Sequence, residues 1–254
     1  MKTVTHSRIP ALSFFERYVQ QNANTLHGKI ICDLSCGTGY IANLFLKKNA
    51  KVMCYDLFPE QCQYPDLLCQ KIDLQLPLPI ESNMADVVIL SETIEHLPNQ
   101  FLLLAEISRI LKPEGKFLLT TPNPSSLRSR FAQFIGESEH YSKPFPDETN
   151  AYVKWPGTNN AYFNKIFISG VLRIRLLAVL NGMVLQKIHR CPYSFTSLLL
   201  MIFYPLIYFF SIKNYRKKTR ENPHNAPVYK EIFRLNTSLN ILLGKHLIVE
   251  FKKT

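Results

Sequence analysis

Glu92-Thr93-Ile94-Glu95-His96 gathers two carboxylates and an imidazole within five residues. If a helical turn starts at Glu92, then Glu92, Glu95 and His96 fall at i, i+3 and i+4 and share one face. Three readings suit this cluster. His96, with Glu95 beside it, is a catalytic candidate that takes a proton from a substrate hydroxyl. Glu92, Glu95 and His96 together offer two oxygens and a nitrogen to a hard divalent ion such as Mg²⁺. The third reading is purely structural. No fourth metal ligand is identifiable; His140, in GESEHYSKP, is a candidate, and a surface histidine is its plainer reading.

A second set of residues lies upstream. Residues 31–40 read ICDLSCGTGY, and Gly37-Thr38-Gly39-Tyr40-Ile41-Ala42 fits G-x-G-x-x-A between a strand and a helix. That pattern alone suits a dinucleotide site or a bare turn. Asp33 inside the turn shifts the balance, because a carboxylate repels a pyrophosphate and attracts an ammonium or sulfonium. Asp56 ends the next apolar run and suits a ribose hydroxyl; a strand-end cap is its bland alternative. Asp73, in KIDLQLPLP, is placed to accept from an adenine amino group, or else is a turn residue.

The elements that must hold these residues follow from periodicity. KIICDLS (29–35), AKVMCYDL (50–57), ADVVILSE (85–92) and KFLLTTPNP (116–124) read as buried strands. GYIANLFLKKN and FLLLAEISRILK read as helices between them, the second stopped by Lys112-Pro113-Glu114-Gly115. Alternating strand and helix with continuous apolar strands predicts an α/β fold, a Rossmann-like, doubly wound and mostly parallel sheet. Residues 125–165 are irregular and rich in Pro, Asn, Ser and aromatics, which predicts an inserted lid over the carboxyl edge of the sheet. Residues 164–190 read as a helix ending near Asn181-Gly182 and then a strand, and 241–253 as a last strand beside it. The expected organisation is a cofactor-binding core over 1–124, a lid over 125–165, and a helix and strand completing the core over 166–193. An apolar-basic segment over 194–235 and a closing strand over 236–254 follow.

Four stretches in this order now support a resemblance: DLSCGTGY, VMCYDLFPE, KIDLQLPLPIESNMADVVILSETIEHLPN and EISRILKPEGKFLLTTPNP. Residues from about 29 to 124 resemble the class I S-adenosylmethionine-dependent methyltransferases, in particular the type 11 group. The resemblance implies S-adenosylmethionine as cofactor. It implies that Asp33, Ser35, Gly37 and Gly39 shape the pocket for the methionine part. Asp56 and its neighbour Leu57 would serve the ribose, and Asp73 with Leu74 would flank the adenine; Ser91, at the end of the third strand, joins the set. Ser35 stands where many members have glycine, and its hydroxyl tightens the pocket. The E-x-x-E-H pattern looks like that of ubiquinone O-methyltransferases and of small-RNA 3′-end 2′-O-methyltransferases, where it is tied to a divalent metal. It also resembles a commoner form with no established metal.

Charge divides the chain. Of a net +11, residues 1–150 carry −2 and residues 151–254 carry +13. A basic half favours a polyanion such as lipid headgroups, nucleic acid or a phosphorylated carrier. Residues 197–212 hold no charge, and 213–220 hold five Lys+Arg in eight residues. Pro205 interrupts the apolar run, which is slightly short for a span of about 20 residues. A buried helical hairpin, a segment dipping into one leaflet with KNYRKKTR on anionic headgroups, and a full span are the three readings. The back half, with Gly244-Lys245-His246-Leu247-Ile248-Val249 as its closing strand, resembles bacterial methyltransferases of surface-glycan and lipid-linked metabolism. The expected activity is O-methylation of a membrane-associated glycan or lipid-linked substrate, at an anionic membrane. A quinone-type or other small-molecule O-methyltransferase, an RNA 2′-O-methyltransferase and an inactive cofactor-fold scaffold are the alternatives. Nucleic acid is the less expected partner, because the cations adjoin an apolar run instead of interleaving with stacking aromatics. The N-terminus lacks an apolar signal region and the six cysteines form no CxxC pair, so the expected location is cytoplasmic, peripheral at the inner membrane face.

Overall fold

The computed structural model describes residues 10–138, 144–154 and 161–254; His140 lies outside them. The strands are β1 (Ile30–Asp33), β2 (Lys51–Asp56), β3 (Cys69–Lys71), β4 (Ala85–Ser91), β5 (Leu111–Pro122), β6 (Tyr152–Lys154), β7 (Ala161–Phe163), β8 (Met183–Ile188) and β9 (His246–Lys253). Seven of them form one sheet in the order β3-β2-β1-β4-β5-β9-β8. The first five run parallel, and β9 enters antiparallel to both neighbours. The helices are α1 (Pro10–Gln21), α2 (Ala23–Leu26), α3 (Tyr40–Leu46), α4 (Gln100–Ile110), α5 (Leu127–Gly136), α6 (Val171–Leu180), α7 (Phe195–Leu199), α8 (Tyr204–Glu221), α9 (Ala226–Thr237) and α10 (Leu239–Leu243). This is the doubly wound, mostly parallel architecture that the strand pattern predicts.

The apolar strands are continuous because both faces of the sheet are covered. Val88, Leu90, Phe117 and Leu119 meet Leu103 and Ile107 of α4 and Ile174 and Ala178 of α6 on one side. Their neighbours Val87, Ile89 and Leu118 meet Phe14 and Phe15 of α1 and Ile41 and Phe45 of α3 on the other. Successive side chains of the central strands thus feed two cores.

Three expectations shift in detail. Lys112-Pro113-Glu114-Gly115 does more than stop α4: it is a bulge inside β5, where pairing passes from Ala85–Leu111 to Val87–Lys116. The helix expected from 164 starts only at Val171; 164–170 are irregular, and Phe167 N–H bonds instead to Glu95 O in the turn after β4. Pro205 does not interrupt the apolar segment. It sits in the first turn of α8, where its missing N–H removes no hydrogen bond. A 3₁₀ turn over Leu200–Phe203 joins α7 to α8 into one rod, Phe195–Glu221.

Candidate active site

The strand order reverses between β1 and β4, and ligands of open α/β sheets bind outside the carboxyl ends there. A cavity of about 510 Å³ opens at that place, within the range of a small-molecule or cofactor site. Its floor is Leu34, Ser35 and Gly37 after β1; its sides are Asp56–Phe58 after β2, Asp73–Gln75 after β3 and Ser91–Thr93, His96 and Leu97 after β4. Tyr152, Ala161, Tyr162 and Phe163 of the β6–β7 hairpin roof it.

Of the residues expected around a cofactor, Ser35, Gly37, Asp56, Leu57, Asp73, Leu74 and Ser91 line this cavity. Asp33 and Gly39 stand behind it. Gly37 takes φ +53° and donates its N–H to Asp56 Oδ2 at 2.7 Å, while Phe58 N–H reaches Oδ1 at 2.9 Å. Gly39 takes φ +85°, and a Cβ there would lie 2.9 Å from Cys62 Sγ and 3.0 Å from Tyr64 Cδ2. Its contribution is the close packing of the loop onto 62–67 and the entry into α3. Ser35 Oγ accepts from Ser91 N–H at 3.0 Å, so the residue that replaces a glycine ties the β1 loop to the end of β4. Ser91 Oγ in turn meets Thr120 Oγ1 at 2.9 Å. Asp73 Oδ1 accepts from Gln75 N–H at 2.9 Å.

Asp33 carries the strongest electrostatic signal. It is fully buried; Oδ1 accepts from Ser35 N–H at 3.3 Å, and Oδ2 has no partner. Burial pushes its carboxyl up to about 7, the Ser35 hydrogen bond opposes this, and the nearby charge of Asp56 adds to it. Asp56 and Asp73 thus put two carboxyls on the cavity wall, with the Asp33 carboxyl buried behind them. An orphaned buried oxygen and an acidic wall fit a cationic ligand that also brings hydroxyl and amino donors, as S-adenosylmethionine does.

The cluster after β4 departs from the helical reading. Glu92 takes φ +50°, so no helix begins there, and only Ile94–His96 form a 3₁₀ turn. The three side chains therefore diverge. Glu92 Oε1 meets His246 Nδ1 at 3.1 Å, with Lys165 Nζ 3.9 Å from its other oxygen. Burial alone would raise the Glu92 carboxyl; the hydrogen bond and charge of His246 and the charge of Lys165 reverse this and hold it below the usual range. Glu95, expected in the chemistry, is fully buried and absent from the cavity wall. It accepts from Thr121 Oγ1 and Lys165 Nζ, both at 2.9 Å. Among the described residues no group of three or more His, Cys, Asp or Glu side chains is gathered to hold a metal ion, and Glu92, Glu95 and His96 do not converge.

His96 does face the cavity. Its Nδ1 lies 2.6 Å from the Phe163 carbonyl, and its ring stands edge-on to Tyr162 at 5.1 Å. A carbonyl can only accept, so Nδ1 carries the proton and Nε2 is left with a lone pair. The same turn holds the lid: Glu95 O accepts from Phe167 N–H at 3.0 Å, and Gln100 bridges Phe167 O and Ser169 Oγ. Tyr152, Tyr162 and Phe163, which roof the cavity, and Lys165 and His246, which pair with Glu95 and Glu92, are the residues that the sequence does not mark. His246 reaches Glu92 across 154 residues, and no local signal marks that pairing.

Comparison with known proteins agrees with this geometry. Residues 32–119 match the family described as a methyltransferase domain. The ubiquinone biosynthesis O-methyltransferase of Actinobacillus pleuropneumoniae is 26% identical over 151 residues, covering 54% of this chain and 64% of that protein. The chain thus spans less than two thirds of the length of that curated relative. The S-adenosylmethionine-dependent methyltransferase of Mesorhizobium loti superposes with a TM-score of 0.53 at 15% identity, over 92% of this chain and 97% of that one. One from Archaeoglobus fulgidus gives 0.52 at 16%, over 95% and 94%. The cavity, its carboxylates and the sequence match lie on the same strands: residues 32–119 match a methyltransferase domain, and the fold is that of the S-adenosylmethionine-dependent methyltransferases it superposes on.

Proposed function

We propose that the protein methylates a hydroxyl oxygen of a membrane-associated acceptor, a glycan or lipid-linked molecule, with His96 as general base. The single observation that supports this best is the His96 tautomer: Nδ1 is committed to Phe163 O, which leaves Nε2 as the acceptor on a ring that lines the cavity. S-adenosylmethionine, when bound, supplies an electrophilic methyl group on a sulfonium sulfur. Asp56 and Asp73 hold its hydroxyl and amino donors, and Asp33 compensates its positive charge from behind the loop. His96 Nε2 takes the proton from the acceptor hydroxyl as the oxygen becomes nucleophilic. Phe163 and Tyr162 exclude water above it, and the Glu95–Lys165 pair keeps that roof in place. Glu95 is a positioning residue in this scheme.

A quinone-type acceptor is the second reading, favoured by the similarity to a ubiquinone biosynthesis O-methyltransferase. That similarity covers 54% of the chain, and the acceptor is argued here from the basic back half. Calorimetry with S-adenosylhomocysteine tests the donor site, and no detectable binding overturns the enzymatic reading. A methyl-transfer assay on detergent-solubilised membrane extracts, with His96→Ala as control, tests the acceptor. Methylation of soluble small molecules alone rejects the membrane-associated class.

A further inference from the structure

The rod Phe195–Glu221 is the one helix among the described residues long and apolar enough to cross a membrane, by length and composition. Its two faces differ. Leu200, Met201, Tyr204 and Ile207 pack on Leu127, Leu242 and Leu243. Further along the same face, Tyr208 and Tyr215 meet Phe233 of α9 at 5.5 and 5.6 Å. α9 is anchored in turn by the ion pair of Glu231 with Arg175 on α6. The rod is therefore fastened to the rest of the protein along its whole length.

The opposite face carries Phe195, Leu199, Ile202, Leu206 and Phe209, spaced by four, three, four and three residues. This spacing keeps one stripe on one side of a helix. All five are exposed, Ile202 by 79% and Phe195 by 73%. The stripe runs about 21 Å at 1.5 Å per residue, and it continues at the same spacing into Lys213, Arg216 and Arg220. α5 lies beside its start, with Arg128 N–H donating to Ser197 Oγ, and exposes Phe134 by 86% and Ile135 by 64%. A row of large apolar side chains ending in cations is complementary to a leaflet of anionic lipid, with acyl chains under the first part and headgroups under the second.

We infer that the stripe from Phe195 to Phe209, extended by Lys213, Arg216 and Arg220, docks the protein in the plane of one anionic leaflet. This rests on the membrane-associated acceptor reading. It also chooses among the three readings of the segment: a span would drag α9, with Lys230 and Arg234, into hydrocarbon, where charged and polar side chains are costly.

The test uses the full chain with vesicles of phosphatidylcholine, alone or mixed with phosphatidylglycerol. Binding is expected to the mixed vesicles, and to be lost in Ile202→Glu/Phe209→Glu. Lys213→Glu/Arg216→Glu/Arg220→Glu is expected to weaken it by on the order of a hundredfold, at about 1 kcal/mol per cation. Binding of S-adenosylhomocysteine is expected to persist in both variants, which shows that they fold. Depth then separates plane from span. In a Trp155→Phe background, Ile202→Trp and Phe209→Trp lie about 10 Å apart along one face of a helix. Equal quenching of the two by lipids brominated at one acyl depth is expected, and quenching at depths about 10 Å apart overturns the in-plane geometry. Absent vesicle binding overturns the inference, as does a lipid-free dimer that Ile202→Glu disrupts. If detergent extracts are still methylated in either case, the acceptor reading survives on its own.

Discussion

The glycine loop and the rod at 195–221 are both apolar-rich, yet they spend that character in opposite ways. Around the loop, Leu34, Cys36 and Ala42 are buried, and Ser35, Gly37 and Asp56 are tied by short hydrogen bonds. Along the rod, one face is packed and the other is left open with its largest side chains outermost. The difference teaches which substitutions the protein can bear. A site that must hold a small cation needs each atom fixed and few gaps. A face that meets a fluid partner needs area and charge, with no fixed atomic positions.

Substitutions can break or sharpen this contrast. The largest effect is expected for His96→Ala, which removes the proposed base and should lower kcat by about 10²- to 10⁴-fold, with S-adenosylhomocysteine affinity unchanged in calorimetry. Lys165→Met takes away a charged partner of buried Glu95 and should cost about 2 kcal/mol, read as a lower urea midpoint. Its KM for acceptor should rise more than its kcat falls, since the roof and not the base is disturbed. Gly39→Ala forces a side chain into φ +85° and onto Cys62. It should cost about 1–3 kcal/mol and weaken cofactor binding, by the same two measurements. At the other end of the scale, Phe209→Ser on the open stripe should stay within about 0.5 kcal/mol, so a large loss of stability there would mean that the stripe is packed in solution.

Two carboxyls give the contrast a pH signature. Asp33, raised to about 7 from an ordinary 3.8, binds its proton more tightly folded than unfolded. Stability of the ligand-free protein should therefore decline as pH rises from about 4 to about 7. Binding of the cationic cofactor should tighten over the upper part of that window with release of a proton. Calorimetry in buffers of different ionisation enthalpy reads that proton, and Asp33→Asn should abolish the pH dependence. Glu250 has the opposite sign. Burial would raise it, but hydrogen bonds with His189 and Lys116 hold it at about 2. Its contribution is present above about 4.5 and lost as pH falls toward 2, and Glu250→Gln should remove that part of the acid transition followed by circular dichroism.

Much of the donor half was legible because its signals are local. Strands buried on both faces must be apolar throughout, and a left-handed loop next to Asp33 must use glycine. Asp56 and Asp73 then fall at strand ends by counting. The E-x-x-E-H cluster misled because its spacing assumed a helix, and Glu92 leaves helical geometry at φ +50°. Its true partners lie 70 and 154 residues away, on Lys165 and His246. Such pairings follow from how the chain is threaded, which residue types alone do not encode. The rod was legible as an apolar run, but its two-faced character depended on where α9 and α10 pack.

The antiparallel strand β9 has a consequence for the order of assembly. It fills the slot between β5 and β8, and its partner β5 is made more than a hundred residues earlier. On the ribosome, β5 and β8 therefore wait with open edges, and Glu92 waits without His246, until β9 emerges. The apolar stripe is synthesised inside that interval. If the stripe docks on a leaflet as proposed, a nascent chain presents it before the sheet closes, so attachment precedes completion of the donor site.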